Sequence, residues 1–422
     1  MFPTPEDIEA VIRTREEQSA HFKQSRLDWV CNQLLEATLL LMPPEIRDKW
    51  KSDVCIDASV VEAFGKRGKP WGGTHLAIEY DAGWYMRDSN HNPVKEPKRA
   101  RKRVFGWDMT IAAQTNHAPG TPANFPMLVA GIGMTIPGTD LIGTGRRIHE
   151  SISKRGHPIG RSTGDRGYAP AAKPDDYQIP LRRLGYDIVT DYKIDQLGIR
   201  DGYAGAIQVE GALYCPSMPK PLITATLDMR EGRTDRKTWR LRIKERMQYK
   251  LRAKEKPDAN GSVPMMCPAR GPGATVSCPL VDKGCARADD SKTPILNPPR
   301  EQDRDRICAN KTSVSVPIEA AAKFLQSEHF GSHEWEEIYR HDRNTIEGQN
   351  GFLKDGAQEA IHDATRRRVR GYTAQYLFIT VLVASGNLRK IDAFVAELFG
   401  PDGAQRISPV VLVEVPQVAG LG

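Results

Sequence analysis

The order of extended and helical stretches between residues 54 and 190 constrains this chain more than any other feature. Residues 54–58 form a short run with β-branched side chains. Residues 104–114 (VFGWDMTIAAQ) and 127–134 (MLVAGIGM) read as a second and a third strand, with turn chemistry at 116–122 between them. A helix fits residues 140–154, a short extended piece leads into Gly164-Asp165-Arg166-Gly167, a second helix fits 175–184, and DIVT at 187–190 makes a fifth strand. Three strands, helix, strand, helix, strand is the order expected of a mixed sheet covered on both faces, so the fold class is mixed α/β.

The flanking segments follow other patterns. Residues 1–50 read as helical, a polar stretch followed by RLDWVCNQLLEATLLL, which is apolar on a helical period and stopped by Pro43 and Pro44. The connection from residue 65 to 103 is rich in Gly, Trp and Lys, and loops of that length are usually functional or mobile. From 191 to 332 periodicity gives way to Gly, Pro, Cys and basic residues, the composition of an inserted subdomain. Residues 333–400 return to a helical pattern, ending in a helix or helix pair over 372–398 interrupted at Gly386, and 401–422 form a loose Pro- and Gly-rich tail. The core is thus expected from 51–190 together with 333–400. At 422 residues and 39% hydrophobic content the chain can fill one large core or two to three domains. The apolar run at 376–384 is far short of the roughly 20 residues that span a bilayer, and the first residues lack the order of a secretion signal. A cytoplasmic protein with no membrane partner is the expectation.

Lys and Arg outnumber Asp and Glu by 60 to 53, and the excess is unevenly placed. Residues 230–256 hold twelve basic residues against four acidic ones, and KEPKRARKR at 95–103 and RRRVR at 366–370 repeat the pattern on a smaller scale. One such run is as readily a solvated face; three in one chain favour a polyanion whose phosphates they neutralise.

Three carboxylates stand in local sequence that would hold them rigidly: Asp57 in VCIDASVVEAFG, Asp165 in RSTGDRGYAP and Glu347 in YRHDRNTIEGQNGFLK. Tyr339, Arg343 and Glu347 are successive i, i+4 neighbours and share one helix face. Lys354 joins that face if the helix survives Gly348 and Gly351. The bland alternative is an exposed helix with an ordinary Arg–Glu pair worth a few tenths of a kcal/mol.

On these residues the chain resembles the DDE transposases of bacterial insertion sequences, in the branch whose last carboxylate lies in a Tyr, Arg, Glu, Lys signature. Arg343, Glu347 and Lys354 keep the family spacing; Tyr339 stands one residue too far from Arg343. Asp57 matches the strand-borne first Asp and Asp165 the post-strand second one, and the resemblance covers about residues 50–385. It implies a ribonuclease H-like catalytic core with the insertion after the fifth strand, and Asp57, Asp165 and Glu347 as catalytic residues holding two Mg²⁺ or Mn²⁺ ions. It further implies cleavage of double-stranded DNA at terminal inverted repeats and strand transfer into target DNA, by a homodimer associated with the nucleoid when acting. Arg343, Lys354 and Tyr339 would contact DNA phosphates. The basic tract with Arg240 and Lys244 would follow the DNA backbone, and Trp239 would stack on a displaced base. Only about fifty residues precede Asp57, where such proteins commonly carry a longer helical region that recognises the repeats. A hydrolytic metal-dependent nuclease on the same fold and an inactive DNA-binding remnant are the competing readings, since function resides in the site and not the fold.

Seven cysteines are too few and too irregular for a secreted disulfide scaffold. Cys31 and Cys55 lie in apolar stretches and belong to the core. Cys267, Cys278, Cys285 and Cys308 fall in the insertion, where a small domain poor in apolar residues is a candidate for a structural Zn²⁺, with free thiols as the alternative.

Overall fold

A computed structural model describes residues 4, 6, 17–65, 67, 77, 79, 81–89, 97–281 and 293–399. Its centre is a six-stranded mixed sheet of β1 (Val54–Glu62), β2 (Gly83–Arg87), β3 (Lys102–Gln114), β4 (Val129–Thr135), β5 (Arg161–Gly164) and β6 (Asp187–Thr190). β1 runs antiparallel to β3 along its whole length, from Val54 opposite Gln114 to Glu62 opposite Gly106, while β2 and β4 share the other edge of β3. β5 lies parallel to β1 and β6 parallel to β5. The two parallel pairings are those that the intervening helices α2 (Leu141–Lys154) and α3 (Gln178–Leu184) make available, because parallel neighbours need a crossover.

Strand periodicity sorts the side chains into two cores. Val54 and Ile56 of β1 pack with α2 and α3 through Ile148, Ile152 and Leu181. Cys55 and Val61 face the other way, with Trp107, Met109 and Ile111 of β3, toward α1 (Glu17–Leu39), α5 (His333–Leu353) and α6 (Tyr372–Phe399). Asp57 and Ser59 share the parity of Cys55 and therefore belong to the α5 side.

The insertion after β6 carries two separate three-stranded sheets, β7 (Ile199–Tyr203), β8 (Ala206–Val209) and β9 (Ala212–Tyr214), then β10 (Arg252–Ala253), β11 (Val263–Met266) and β12 (Val314–Val316), with helix α4 (Arg236–Arg246) between them. These sheets share an apolar cluster of their own.

Several expectations need correction. The stretch from 65 to 103 contains strand β2, for which the adjacent Trp84 and Tyr85 have strand propensity, so six strands build the sheet where five were expected. The helix expected at 175–184 is a 3₁₀ turn at Pro174–Asp176 followed by α3. α6 passes unbroken through Gly386. That glycine is a packing device: a Cβ there would stand 2.6 Å from Leu353 Cδ2 at the end of α5. Among the described residues no helix is long and apolar enough to cross a membrane. The tail expected at 401–422 and most of residues 1–16 lie outside the described residues.

Candidate active site on the sheet and helix α5

Strand register brings the first two acids together. Ile56 is opposite Gly164 in the parallel β1–β5 pairing, so Asp57 and Asp165 are the next residues on adjacent chains. Asp165 lies just past β5, in a turn where its Oδ1 accepts the Gly167 amide at 2.7 Å. Helix α5 lies across β1, β3, β5 and β6. Its N-cap, Ser332, accepts from the Trp335 amide, and the helix runs to Leu353 despite Gly348 and Gly351, at neither of which would a Cβ meet any neighbour.

One face of α5 meets the acids. Arg343 Nη1 is 3.6 Å from Asp57 Oδ1, and its Nη2 donates to Glu347 Oε1 at 3.2 Å. Asn350 Nδ2 donates to Asp57 Oδ2 at 3.2 Å, and Lys354 Nζ donates to Ser59 Oγ at 2.7 Å. Arg343, Glu347, Asn350 and Lys354 follow one another at helical spacing, so one side of the helix carries two cations, an acid and an amide to the edge of β1. The Asp57 side chain is 19% exposed and that of Glu347 is 63% exposed, which makes the site a rim open to a large ligand.

The electrostatics agree with convergence. Burial pushes the Asp57 carboxyl up to about 6, with Asp165 and Glu347 adding to the shift and Arg343 opposing it. Burial alone would lower Arg343, but Asp57, Cys55 and Asp165 more than offset it and hold the guanidinium charged. Lys354 is lowered by burial and by Lys102, which brings the second basic run to the same rim. Arg343 Nη1 and Asn350 Oδ1 are buried without a hydrogen-bond partner.

As placed, no group of three or more His, Cys, Asp and Glu among the described residues is set to hold a metal ion. Arg343 is instead the positive charge between Asp57 and Glu347. The donor set itself suits a hard divalent cation: a buried carboxylate whose ionisation is opposed by two neighbouring acids gains most from such an ion, and oxygen ligands are what Mg²⁺ and Mn²⁺ take.

Other expected site residues are placed as follows. Tyr339 keeps its hydroxyl within electrostatic reach of Arg343 and Asp165, while its ring stacks on Trp335 at 5.0 Å and 9°. Burial first, then Asp191, holds its hydroxyl above the usual range. Trp239 is 4% exposed and its Nε1 donates to Thr226 Oγ1 at 3.1 Å, so with Ile243 it anchors α4 against Ala225 and offers no ring to a base. Arg240 donates to Glu336 of α5 at 2.7 Å, and Lys244 is exposed. Much of the basic tract is matched by acids from other segments: Arg230 pairs with Asp191, Arg242 with Asp228, and the fully buried Arg246 with Glu210. In the third run Arg367 is buried and donates to the Glu62 carbonyl at 2.9 Å, which removes it from any phosphate.

Residue reasoning missed Asn350, Ser59 and Asp191. Asn350 had a usable signal, since it lies seven residues after Arg343 on the same helix face. Ser59 had one as well, two residues beyond Asp57 on one strand face. Asp191 follows β6 and stands 3.8 Å from Arg166, beside the second acid. Cys31 and Cys55 are fully buried, as expected of core thiols. Cys267 and Cys278 are buried and Cys308 is half-buried, while Cys285 lies outside the described residues. No protein-family model, curated protein or solved structure matches the chain.

Proposed function

We propose that this chain is a DDE transposase with a ribonuclease H-like core, cutting DNA at element ends and joining them to a target. The observation that carries the reading is the approach of Asp57 on β1 to Asp165, just past the adjacent parallel β5, under the α5 face that bears Arg343, Glu347, Asn350 and Lys354. The sheet order supports it too: an antiparallel group continued by two parallel strands, with the third acid on a helix after a long insertion.

Asp57 and Asp165 would hold the metal ions, with Glu347 joining them once Arg343 releases it. Bound Mg²⁺ or Mn²⁺ supplies activation of a water or DNA 3′-hydroxyl and charge relief for the oxygen leaving phosphorus. Arg343, freed from its carboxylates, and Lys354, with Lys102 beside it, neutralise phosphates at the rim. Asn350 keeps the Asp57 carboxylate oriented by its amide hydrogen bond. A dimer pairing two DNA ends belongs to the same proposal.

The test is the purified full chain with Mn²⁺ and a supercoiled plasmid carrying the DNA that flanks this reading frame, alongside Asp57→Asn. Cut ends that become joined to a second duplex, and are lost in Asp57→Asn, are expected. Cutting without joining selects the hydrolytic nuclease, and binding without cutting in the wild type selects the inactive remnant.

A further inference from the structure

Four cysteines of the insertion come together from distant parts of the chain, and one of them, Cys215, lies well before the others. Three of the four open the same local structure. Cys215-Pro216-Ser217-Met218, Cys267-Pro268-Ala269-Arg270 and Cys278-Pro279-Leu280-Val281 are each closed by a hydrogen bond of 3.0 Å from the fourth amide to the Cys carbonyl. Proline in the second position presets the turn. The turns at Cys215 and Cys267 follow directly on strands β9 and β11, which fix the thiols at strand ends. Cys308 sits on the helical turn Arg306–Ala309, and its carbonyl accepts from Arg270 Nη2 at 3.3 Å, which ties the fourth cysteine to the second turn.

All four pack in or against the one apolar cluster that serves both small sheets, and none is in a disulfide. The Cys215 thiol lies within electrostatic reach of Cys267, Cys308 and Cys278, so the four share one low-dielectric space. In the turns, the Ser217 amide donates to the Cys215 sulfur and the Ala269 amide to the Cys267 sulfur. Amides turned onto sulfur at the head of a tight turn are wasted on a neutral thiol but useful to a thiolate ligand.

We propose that Cys215, Cys267, Cys278 and Cys308 form a four-thiolate Zn²⁺ site that joins the two small sheets of the insertion. As placed, no group of these thiols among the described residues is set to hold a metal ion, so zinc binding includes a closing of the turns, with the four protons released to solvent. Cys215 takes the place that chain order alone gave to Cys285. The site is independent of the carboxylates and of the transposase reading.

The experiment measures metal content of the full chain, purified without chelator from zinc-supplemented growth, for wild type, Cys215→Ser, Cys278→Ser and Cys285→Ser. One Zn²⁺ per chain is expected in wild type and Cys285→Ser, with loss in the other two. Should a Ser variant fail to fold, Co²⁺ exchanged into wild type gives the second readout: intense visible bands of a tetrahedral site with thiolate charge transfer. Zinc-free wild type without those bands overturns the proposal, as does zinc that survives Cys215→Ser and disappears in Cys285→Ser.

Discussion

Asp57 is the residue at which stability and the proposed chemistry conflict. Its carboxyl is raised from 3.8 to about 6, so the folded chain resists ionising it. The penalty is absent below the unfolded value, grows as pH rises between the two, and is complete above the folded one. Asp57→Asn should therefore stabilise the protein by about 2 kcal/mol near neutral pH and not at all at about pH 3.5, a difference that urea unfolding at the two pH values reads directly. Trp239 makes the opposite case. Its burial predicts that Trp239→Ala loses about 3–5 kcal/mol of stability through a core cavity, whereas under the proposed function Trp239→Phe binds DNA as the wild type does in a filter-binding assay. The strand, turn and helix placements of Asp57, Asp165 and Glu347 were legible in the sequence. The fate of Trp239 was not, because one Trp in a basic run reads alike whether it faces solvent or the small apolar cluster of Ala225 and Ile243.

At the scale of elements, the β1–β3 pair and helix α5 decide where the acids go. Gly106 sits opposite Glu62, and a Cβ there would fall 1.9 Å from the Val61 carbonyl oxygen, which only a backbone shift relieves. Gly106→Ala should thus cost about 3 kcal/mol in denaturant unfolding, near the upper end for overpacking. The helix cap at Asp140, whose side chain accepts the Gly143 amide, should cost about 1 kcal/mol when replaced by Ala. Periodicity located β3, β4, β6 and α2 closely and only the first five residues of β1, because strands buried on both faces and an amphipathic helix have strong patterns. It missed β2, a half-buried strand in a Gly-rich connection. It also placed a break at Gly386, where the lack of a side chain serves helix packing and the continuous helix offsets the weak propensity of one glycine.

For the whole molecule, the sheet and α5 form one unit and the insertion another with its own core, bound to α5 through Arg236 and Arg240 on Glu336. Net charge suggested a polyanion partner, yet tertiary pairing absorbs much of the densest basic run, something that composition cannot show. Cations at the acid rim include Arg343 and Lys354 with Lys102, and under the proposed function these, rather than the run of residues 230–256 as a whole, would meet phosphate. Mg²⁺ should raise the melting temperature of the wild type and leave that of Asp57→Asn unchanged, as a ligand that binds only the folded state does. The most direct test of the central claim is anomalous diffraction from crystals of the full chain soaked in Mn²⁺. A manganese peak within ligand reach of the Asp57 and Asp165 carboxylates, lost in Asp57→Asn, is the predicted result; a well-ordered wild-type site with Arg343 still between Asp57 and Glu347 and no manganese beside the acids would contradict it.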